Sequence, residues 1–310
     1  MDSFHHAMPR ILDVNGTCLG TGWLPGPPDM RDYHVGYEPD KILQAFGLQA
    51  PTTEKKPQSN VDLTRWCSRV ETQGALGSCT AHALTYAVEY YQNRIYNKHV
   101  HGSRLFVYKM ARWLAGLTGD TGAYLRHTMA ALKMFGVCPE KFWGYTTNQD
   151  PKRGRTFDDM PPAPAFALAD NYEGLKYVRH DPIHMDPKAV LDSIRLYLAR
   201  GVPCVLGFYG FPSLQKGNVP GAIPFPRKDE RAMFAHAVMI AGYDDAQVIW
   251  NEDDARATKT IGAFKVLNSW GTGWGANGFG WLPYQYILRR LASDVWSIIK
   301  MEWADMAQYD

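Results

Sequence analysis

Apolar residues recur at helical spacing in four stretches of the chain. The first stretch runs from Thr80 to about Asn97, and its apolar positions are separated by 3, 1, 3 and 4 residues. This spacing predicts an amphipathic helix with one face in a core. The apolar positions are Leu84, Ala87, Val88, Tyr91 and Ile95.

The other three helices are predicted from apolar spacing together with end signals. Two lie in "SRLFVYKMARWLAG", which begins at Ser103, and in "AYLRHTMAALKMFG", which ends at Gly136. The last lies in "DPKAVLDSIRLYLARG". There Asp186 can cap the first turn, Pro187 fits the first helical position and Gly201 fits the end of the helix.

Short segments rich in β-branched and aromatic residues replace the helical pattern after residue 200. They read "PCVLGFYGF", "HAVMIAGYDD", "AFKVLNSW" and "GFGWLPYQYI", and glycine, aspartate and asparagine separate them. This pattern predicts antiparallel strands. Because helices precede strands along the chain, we expect an α+β fold with two lobes, mainly helical in residues 61–175 and rich in strands in residues 176–310.

Residues 1–60 are rich in turn-forming residues. "GTGWLPGPPDMRDYHVGYEPD" and "QAPTTEKKPQSN" enclose a single short apolar run, "KILQAFGL". We expect this part to be an extension wrapped over a domain, or a pro-segment, rather than a domain with its own core.

Composition and charge narrow the classes of protein. Of 310 residues, 45% are hydrophobic, and 33 lysines and arginines nearly balance 31 aspartates and glutamates, so the net charge is +2. The total charge does not show the positive field typical of a nucleic-acid binder, and a local basic patch is left open. We find neither the apolar run of a signal peptide nor a segment that could cross a bilayer. No nucleic-acid or membrane partner is expected, and a cytoplasmic location is the default, with non-classical export left open.

Two histidines four residues apart, His180 and His184, lie in "RHDPIHMD" and could suggest a metal pair. The segment contains a proline and leads into a helix cap, which favours a surface loop over a metal site. No metal or other cofactor is expected.

The cysteines are few and odd in number, which fits a disulfide-stapled secreted scaffold poorly. They are Cys18, Cys67, Cys79, Cys138 and Cys204. At least one thiol must be free or must pair between chains.

Cys79 follows the small residues of "QGALGS" and stands at the start of the first predicted helix. A helix N-terminus stabilises a thiolate through the positive end of the helix dipole and unpaired N–H groups, which lowers the pKa of the thiol. The same N–H groups can hold an oxyanion. The alternative is an inert buried cysteine, since free cysteines are among the most buried residues.

A cysteine nucleophile needs an imidazole base and a third group that orients the imidazole ring. His236 opens "HAVMIAGYD", and Asn268 opens "NSWGTGWGANGFGWL". With "QGALGSC", these three blocks resemble those of the papain-like cysteine peptidases, peptidase family C1, which includes the cathepsins. The chain order Cys, His, Asn is also that of the family, and the resemblance covers about residues 60–300.

The resemblance implies a two-lobe papain-like fold, with a helical lobe, an antiparallel barrel-like lobe and a cleft between them. It implies that Cys79 is the nucleophile, His236 the general base and then acid, and Asn268 the group that orients the imidazole. Gln73 would supply its side-chain amide to the oxyanion hole, beside the N–H of Cys79.

Substrate-binding residues are also implied by the resemblance. Gly122 in "TGDTGAYLR" would bond the substrate backbone, unless it only opens the next helix. Asp294 would lie at the bottom of the pocket that binds P2, the second substrate residue before the cleaved bond. The pocket would then accept an arginine side chain at P2. The alternative is that Asp294 forms a structural salt bridge. The remaining implied residues are Ala123 and Tyr124 on the P2 pocket wall, Ala237 after the histidine, Trp270 shielding the Asn–His bond, and Trp274 on the leaving-group side.

The chain also departs from the family pattern. Leu76 stands where members of the family commonly have a disulfide-bonded cysteine, three residues before the nucleophile. This departure fits a reducing compartment or a bacterial-type branch. Thr80 replaces the usual aromatic residue after the nucleophile. His82, two residues further on, is expected to have a structural role, because a helix turns it away from Cys79.

The expected function is therefore an endopeptidase acting on peptide or protein substrates. Residues 1–60 would lie near the cleft, either as the pro-segment of a zymogen or as an extension that is kept. An exopeptidase or an acyl-transferring enzyme would use the same residues. A binding protein that retains the fold without catalysis is a further alternative.

Overall fold

The computed structural model of the chain describes residues 11–12, 16, 18–27, 29–30, 32–36, 39–45, 58–97, 101–147, 154–169 and 175–301. Much of the turn-rich extension, including residues 1–10 and 46–57, lies outside the described residues.

The predicted helices form close to their expected bounds. The helices of the described residues are α1 (Pro39–Ala45), α2 (Cys79–Tyr96), α3 (Arg104–Leu114), α4 (Leu125–Phe135), α5 (Ala163–Ala169), α6 (Pro187–Ala199), α7 (Ala255–Thr258) and α8 (Gln285–Leu288). The Asp186 side chain caps α6 by accepting hydrogen bonds from the backbone N–H groups of Lys188 and Ala189. Among the described residues, no helix has both the length and the apolar character that a bilayer crossing requires.

The expected core stripe of α2 is wrong at one position. Ile95 is 58% exposed, because the last turn, residues 94–97, projects beyond the part of the helix that the core covers. The four N-terminal positions of the stripe pack as expected, three of them buried and Tyr91 partly buried against the same core.

The strands build one large antiparallel sheet and two small pairs. They are β1 (Ile11–Leu12), β2 (Cys18–Leu19), β3 (Trp23–Leu24), β4 (Asn60–Asp62), β5 (Ala123–Tyr124), β6 (Leu175–Arg179), β7 (Cys204–Gly210), β8 (Phe234–Ile249), β9 (Thr260–Leu267), β10 (Phe279–Pro283) and β11 (Ala292–Met301). The large sheet has the order β10-β9-β8-β7-β11-β6, with β4 beside β8. β1 pairs with β2, and β3 pairs with β5 in parallel.

One predicted strand is too long. The segment "GFGWLPYQYI" leaves the sheet after Pro283 and continues as α8 from Gln285. Proline has no N–H to donate to a sheet ladder, so it suits the last position of a strand.

Helices cover both faces of the large sheet. One hydrophobic cluster joins α2, α3 and α4 to residues such as Met239 and Trp296 on one face. A second cluster joins α6 and α8 to the other face through Ile194, Phe208 and Tyr286. This arrangement confirms the α+β class. It also sets the N-terminus of α2 against β8, the strand that carries His236.

A buried ion pair ties α2 to the start of α3. Arg104 forms two hydrogen bonds of 2.8 and 2.7 Å to the Glu89 carboxylate, and both side chains are almost fully buried. Glu89 also accepts hydrogen bonds from the Ser68 hydroxyl and the Gly102 N–H. Removal of one partner would leave a buried charge without compensation.

We therefore expect Glu89→Ala to lower the free energy of unfolding by about 3–5 kcal/mol, measured by urea denaturation followed by circular dichroism. The control is Asp192→Ala, which removes an exposed partner of Lys188 and should cost less than about 0.5 kcal/mol. Equal, small losses for the two variants would contradict a stabilising role for the buried pair.

Candidate active site

Cys79 is the first residue of α2 and is fully buried. Backbone N–H groups near the thiol, those of Ala237, Thr80 and Trp23 among them, act to lower its pKa. Burial nevertheless raises the pKa of the thiol to about 12, because the charged thiolate loses its hydration. Buried in this way, Cys79 is a neutral thiol at pH 7.

His236 and Asn268 meet where β8 passes the end of β9. His236 Nε2 lies 2.7 Å from Asn268 Oδ1, which also accepts the Ser269 N–H at 2.8 Å. Because an amide oxygen only accepts, Nε2 carries the proton. The other ring nitrogen, Nδ1, is buried without a hydrogen-bond partner among the described residues, so a neutral His236 has an unused acceptor there.

Trp270 lies against the imidazole. The two rings stack with centroids 4.5 Å apart and planes 25° apart. Burial lowers the pKa of His236 to about 4, although the bond to Asn268 opposes this shift. Together with the neutral thiol of Cys79, this neutral imidazole means that the closed site lacks the ion pair expected of a reactive cysteine.

Both polar atoms of the Gln73 side-chain amide, Oε1 and Nε2, form hydrogen bonds. Its Oε1 accepts a 2.5 Å hydrogen bond from the Ser269 hydroxyl, and its Nε2 donates to Leu76 O at 2.7 Å and to Thr21 O at 3.4 Å. The backbone N–H of Gln73 donates to Ser269 O at 2.9 Å. Ser269 therefore turns the NH2 group of Gln73 toward the backbone of Leu76.

A stretch of the N-terminal extension crosses directly over these residues; we call Cys18–Leu24 the occluding segment. Gly20 O accepts a 2.8 Å hydrogen bond from Trp270 Nε1. Gly22 donates to Ala235 O at 3.1 Å and accepts from Ala123 N at 2.9 Å. A Cβ at Gly22 would collide with the carbonyl oxygen of Gly77, so only glycine allows this close backbone approach.

The indole of Trp23 fills a buried pocket next to Cys79. It lies over Gly207, where any Cβ would collide with the ring, and its centroid is 5.5 Å from that of Tyr209. Trp23 Nε1 donates a 3.0 Å hydrogen bond to Asp294 Oδ2. The Trp23 side chain is completely buried.

Asp294 is both a pocket residue and a member of an ion cluster. Its Oδ1 accepts from Trp296 Nε1 at 2.7 Å and lies 3.4 Å from Arg179 Nη1. Burial raises the pKa of the Asp294 carboxyl to about 6, partly offset by Arg179 and the two indoles. The salt bridge considered from the sequence is present, and the other carboxylate oxygen faces the pocket.

The other implied substrate-binding residues surround the occluding segment. Ala123 and Tyr124 pair with Trp23 and Leu24 in the β3–β5 ladder, and Gly122 precedes them. Ala237, opposite Gly207 in the sheet, is buried beside the thiol. Trp274 packs edge-on against Trp270 and lines a cavity of about 660 Å³ with Cys18 and Leu19.

The remaining histidines lie outside this constellation. His82 is buried, its Nδ1 is 3.1 Å from Ser78 O, and burial lowers its pKa to about 3. The expectation of a surface loop is wrong for His180, which is fully buried between the hydroxyls of Ser193 and Ser297 at 2.8 and 3.0 Å. Among the described residues, no group of three or more histidine, cysteine, aspartate or glutamate side chains could hold a metal ion.

Four residues of the site were not predicted from their own sequence signals. Trp23 and Ser269 contact the site directly. Each lies in a segment quoted in the sequence analysis, but neither residue was named there. Tyr145 donates a 3.0 Å hydrogen bond to Gln73 O, and its hydroxyl lies 2.6 Å from Ser78 Oγ. Asp120 accepts from the Gly77 N–H at 2.8 Å. All five cysteines are free thiols.

Comparisons with known proteins agree with this arrangement. A family model described as papain family cysteine protease matches residues 58–289. An uncharacterized peptidase C1-like protein of Acanthamoeba polyphaga mimivirus is 32% identical over 300 residues, 93% of this chain and 89% of that protein. The crystal structure of xylellain, a cysteine protease from Xylella fastidiosa, is 31% identical, with TM-score 0.69 and coverage of 90% of this chain and 96% of that one.

A structure of procathepsin B from Trypanosoma congolense shares the fold at 13% identity, with TM-score 0.59. The match covers 92% of this chain and 87% of that chain.

The buried thiol leads to a prediction about chemical reactivity. In the full chain, alkylation of Cys79 by iodoacetamide should be slow at pH 7, and its rate should still be rising at pH 10, because burial raises the pKa to about 12. Trp23→Ala should speed alkylation at pH 7 at least about tenfold and make the rate level off at lower pH, as hydration of the thiolate returns. Peptide mapping by mass spectrometry separates Cys79 from the other cysteines.

The matched control is Trp113→Ala, which removes a half-exposed tryptophan of α3 and should leave the alkylation rate unchanged. A rate in the unaltered chain that already levels off near pH 8.5, the usual value for a free cysteine, would contradict occlusion.

Proposed function

The chain belongs to the papain family of cysteine proteases, and from this we propose that it is an endopeptidase made as a zymogen, with the occluding segment covering Cys79 until it is displaced. Membership rests on the family model, which matches residues 58–289, and on the 32% identical relative. The protein is therefore a hydrolase that acts on peptide bonds, and the resemblance drawn from the three sequence blocks is confirmed.

The proposed mechanism uses Cys79 and His236 as a pair. Once water re-enters the cleft, the Cys79 proton passes to His236 Nδ1, and the thiolate attacks the carbonyl carbon of a peptide bond. The oxyanion is held by Gln73 Nε2 and the backbone N–H of Cys79. His236 gives the proton to the leaving amine, which leaves a thioester on Cys79.

Water completes the reaction. His236 takes a proton from the water molecule, the resulting hydroxide attacks the thioester, and the acid product leaves as the thiol is regenerated. Asn268 holds the imidazole so that Nδ1 stays free for these transfers. Trp270, stacked on the ring, keeps water away from the bond between the histidine and Asn268.

The observation that favours an endopeptidase is the course of the occluding segment. Its backbone lies near the Trp274 cavity at Cys18, crosses Cys79, and continues beyond the pocket of Trp23 to Gly26. A polypeptide thus passes through the cleft on both sides of the nucleophile. An exopeptidase would need a group that stops one end of the chain, and an acyl-transferring enzyme would differ only in the acceptor of the thioester.

Two features support inhibition by the occluding segment without its own cleavage. One is the backbone N–H of Trp23, which lies close enough to the Cys79 thiol to lower its pKa and so occupies the space beside the sulfur. Burial under the segment also keeps the thiol and the imidazole of His236 neutral. Nucleophile and base therefore stay unreactive until the segment leaves.

The Trp23 pocket is proposed to receive the P2 side chain of a substrate. Trp296 and Arg179 both engage Asp294 Oδ1, and Oδ2 is left to accept from one donor in the pocket. We propose that this oxygen selects P2 side chains with an N–H donor, arginine or tryptophan, over leucine and phenylalanine.

The test of the endopeptidase proposal uses a long peptide with both ends blocked. The full chain carrying Trp23→Ala should release internal fragments at least about tenfold faster than the unaltered chain, and Cys79→Ala in that background should abolish release. Mass spectrometry of the products gives the cleavage sites. Trp113→Ala serves as the control and should match the unaltered chain. Release of terminal residues alone, seen only with unblocked peptides, would contradict endopeptidase action.

The P2 proposal is tested with fluorogenic peptides that differ only at P2. We expect kcat/KM for arginine and tryptophan to exceed that for leucine at least about tenfold. Asp294→Asn should reduce the arginine value most, because the charge is lost, and the tryptophan value less, because an amide oxygen still accepts from an indole N–H. An unchanged order of P2 preferences in Asp294→Asn would contradict selection by this residue.

A further inference from the structure

Two segments that carry separate parts of the site lie in direct contact. We call residues 73–79 the nucleophile loop, because they run from Gln73 to Cys79, and residues 119–124 the substrate-binding edge. Gly77 is their contact point, since a Cβ there would lie 3.2 Å from both Asp120 Oδ1 and Gly122 N. A shift of either segment would therefore move the other.

No covalent bond joins these segments. Leu76 is buried in the nucleophile loop, and all five cysteines are free. Whatever fixes the loop against the edge must be non-covalent.

The Asp120 carboxylate makes the connection. Asp120 Oδ1 accepts the Gly77 N–H at 2.8 Å and the Tyr108 hydroxyl at 2.7 Å. The Tyr108 oxygen in turn accepts the Gly122 N–H at 3.1 Å. One oxygen atom thus links the nucleophile loop, the substrate-binding edge and helix α3, through charge-assisted hydrogen bonds that are stronger than neutral ones.

The edge is itself anchored behind Asp120. Arg112 of α3 donates to Gly119 O, and the Gly119 N–H donates to Asp158 Oδ2 at 2.8 Å. The Arg112 guanidinium also pairs with Asp158 at 2.8 Å and lies 4.1 Å from the centre of the Tyr108 ring. The Asp120 side chain therefore extends from a fixed support to the nucleophile loop.

We propose that Asp120 is a positioning residue, which holds Gly77 so that Cys79 and the oxyanion donors face the substrate-binding edge. Gly77 follows Leu76, the position at which the family commonly has a disulfide-bonded cysteine. The proposal rests on the proposed role of Cys79 as nucleophile. Asp120 acts through Gly77, two residues before the nucleophile.

The expected size of the effect follows from the geometry. Misplacement of a reacting group by about 1 Å can slow a reaction about 100-fold, and loss of one oxyanion donor costs about 100- to 1,000-fold in kcat. Both the nucleophile and its backbone N–H are at the end of the loop that Asp120 holds. The loss should fall on kcat, because the substrate-binding edge keeps its own anchors through Gly119.

The test compares Asp120→Ala with Asp120→Asn in the full chain carrying Trp23→Ala. The asparagine oxygen can still accept from Gly77 and Tyr108. We expect Asp120→Ala to lower kcat about 100-fold, counted per reactive thiol, with KM changed less than about threefold. Asp120→Asn should stay within about threefold of the parent. Asp192→Ala, a change at an exposed aspartate of α6 outside both segments, is the matched control and should match the parent.

Alkylation of Cys79 across pH gives a second readout that needs no peptide. We expect the pH at which the alkylation rate reaches half of its plateau to rise in Asp120→Ala and to stay at the parent value in Asp120→Asn. If the parent cleaves no peptide, the proposed function fails and the alkylation profiles decide the role of Asp120. Parent-like kcat and alkylation in folded Asp120→Ala, or an Asp120→Asn variant as impaired as the alanine variant, would overturn the proposal.

Discussion

The buried indole of Trp23, hydrogen-bonded to Asp294, is the main side-chain anchor of the occluding segment. A buried tryptophan removes roughly 150–250 Å² from water, worth about 4–6 kcal/mol at most. The hydrogen bond to Asp294 adds direction, because it fixes the indole in one orientation over Gly207. The backbone on either side of Trp23 is then carried across Cys79.

The chemistry of the site follows from that coverage. The same thiol, imidazole and amide that would form a reactive set in an open cleft are here buried, and burial moves the pKa of Cys79 up to about 12 and that of His236 down to about 4. The arrangement of the partners is already complete, since Asn268, Ser269 and Gln73 make their bonds in the closed state. Displacement of the segment would hydrate these groups and free Gln73 Nε2 from Thr21 O and Trp270 Nε1 from Gly20 O.

Much of this could be predicted from the sequence, because its signals are local. Apolar spacing predicted the helices. The resemblance of three short blocks to the papain family pointed to Cys79, His236, Asn268 and Gln73 as the residues of one site. The contacts that join distant segments could not be predicted in this way. Trp23 meets Asp294 across 271 positions, and Ser269 meets Gln73 across 196. Such pairs depend on how the whole fold brings distant segments together, which are β3 and β11 for Trp23 and Asp294. A short stretch of sequence does not contain this information.

The expectation of an exposed position for His180 was wrong for the same reason. His180 stands in a polar segment with a proline, yet the fold buries it between β11 and α6, where two serines satisfy it. Gly122 stays a prediction for the substrate-binding edge, and Asp120, two residues before it, reaches across to Gly77 without a sequence signal of its own.

Hydrogen exchange of the full chain, followed by mass spectrometry on peptides that cover residues 18–24, tests occlusion most directly. The N–H groups of Gly20 and Gly22 donate to Gly74 O and Ala235 O, so we expect exchange at least about 100-fold slower than in an unstructured chain. Trp23→Ala should remove this protection while α2 stays protected. Exchange of residues 18–24 at the unstructured rate in the unaltered chain would contradict a segment held in the cleft.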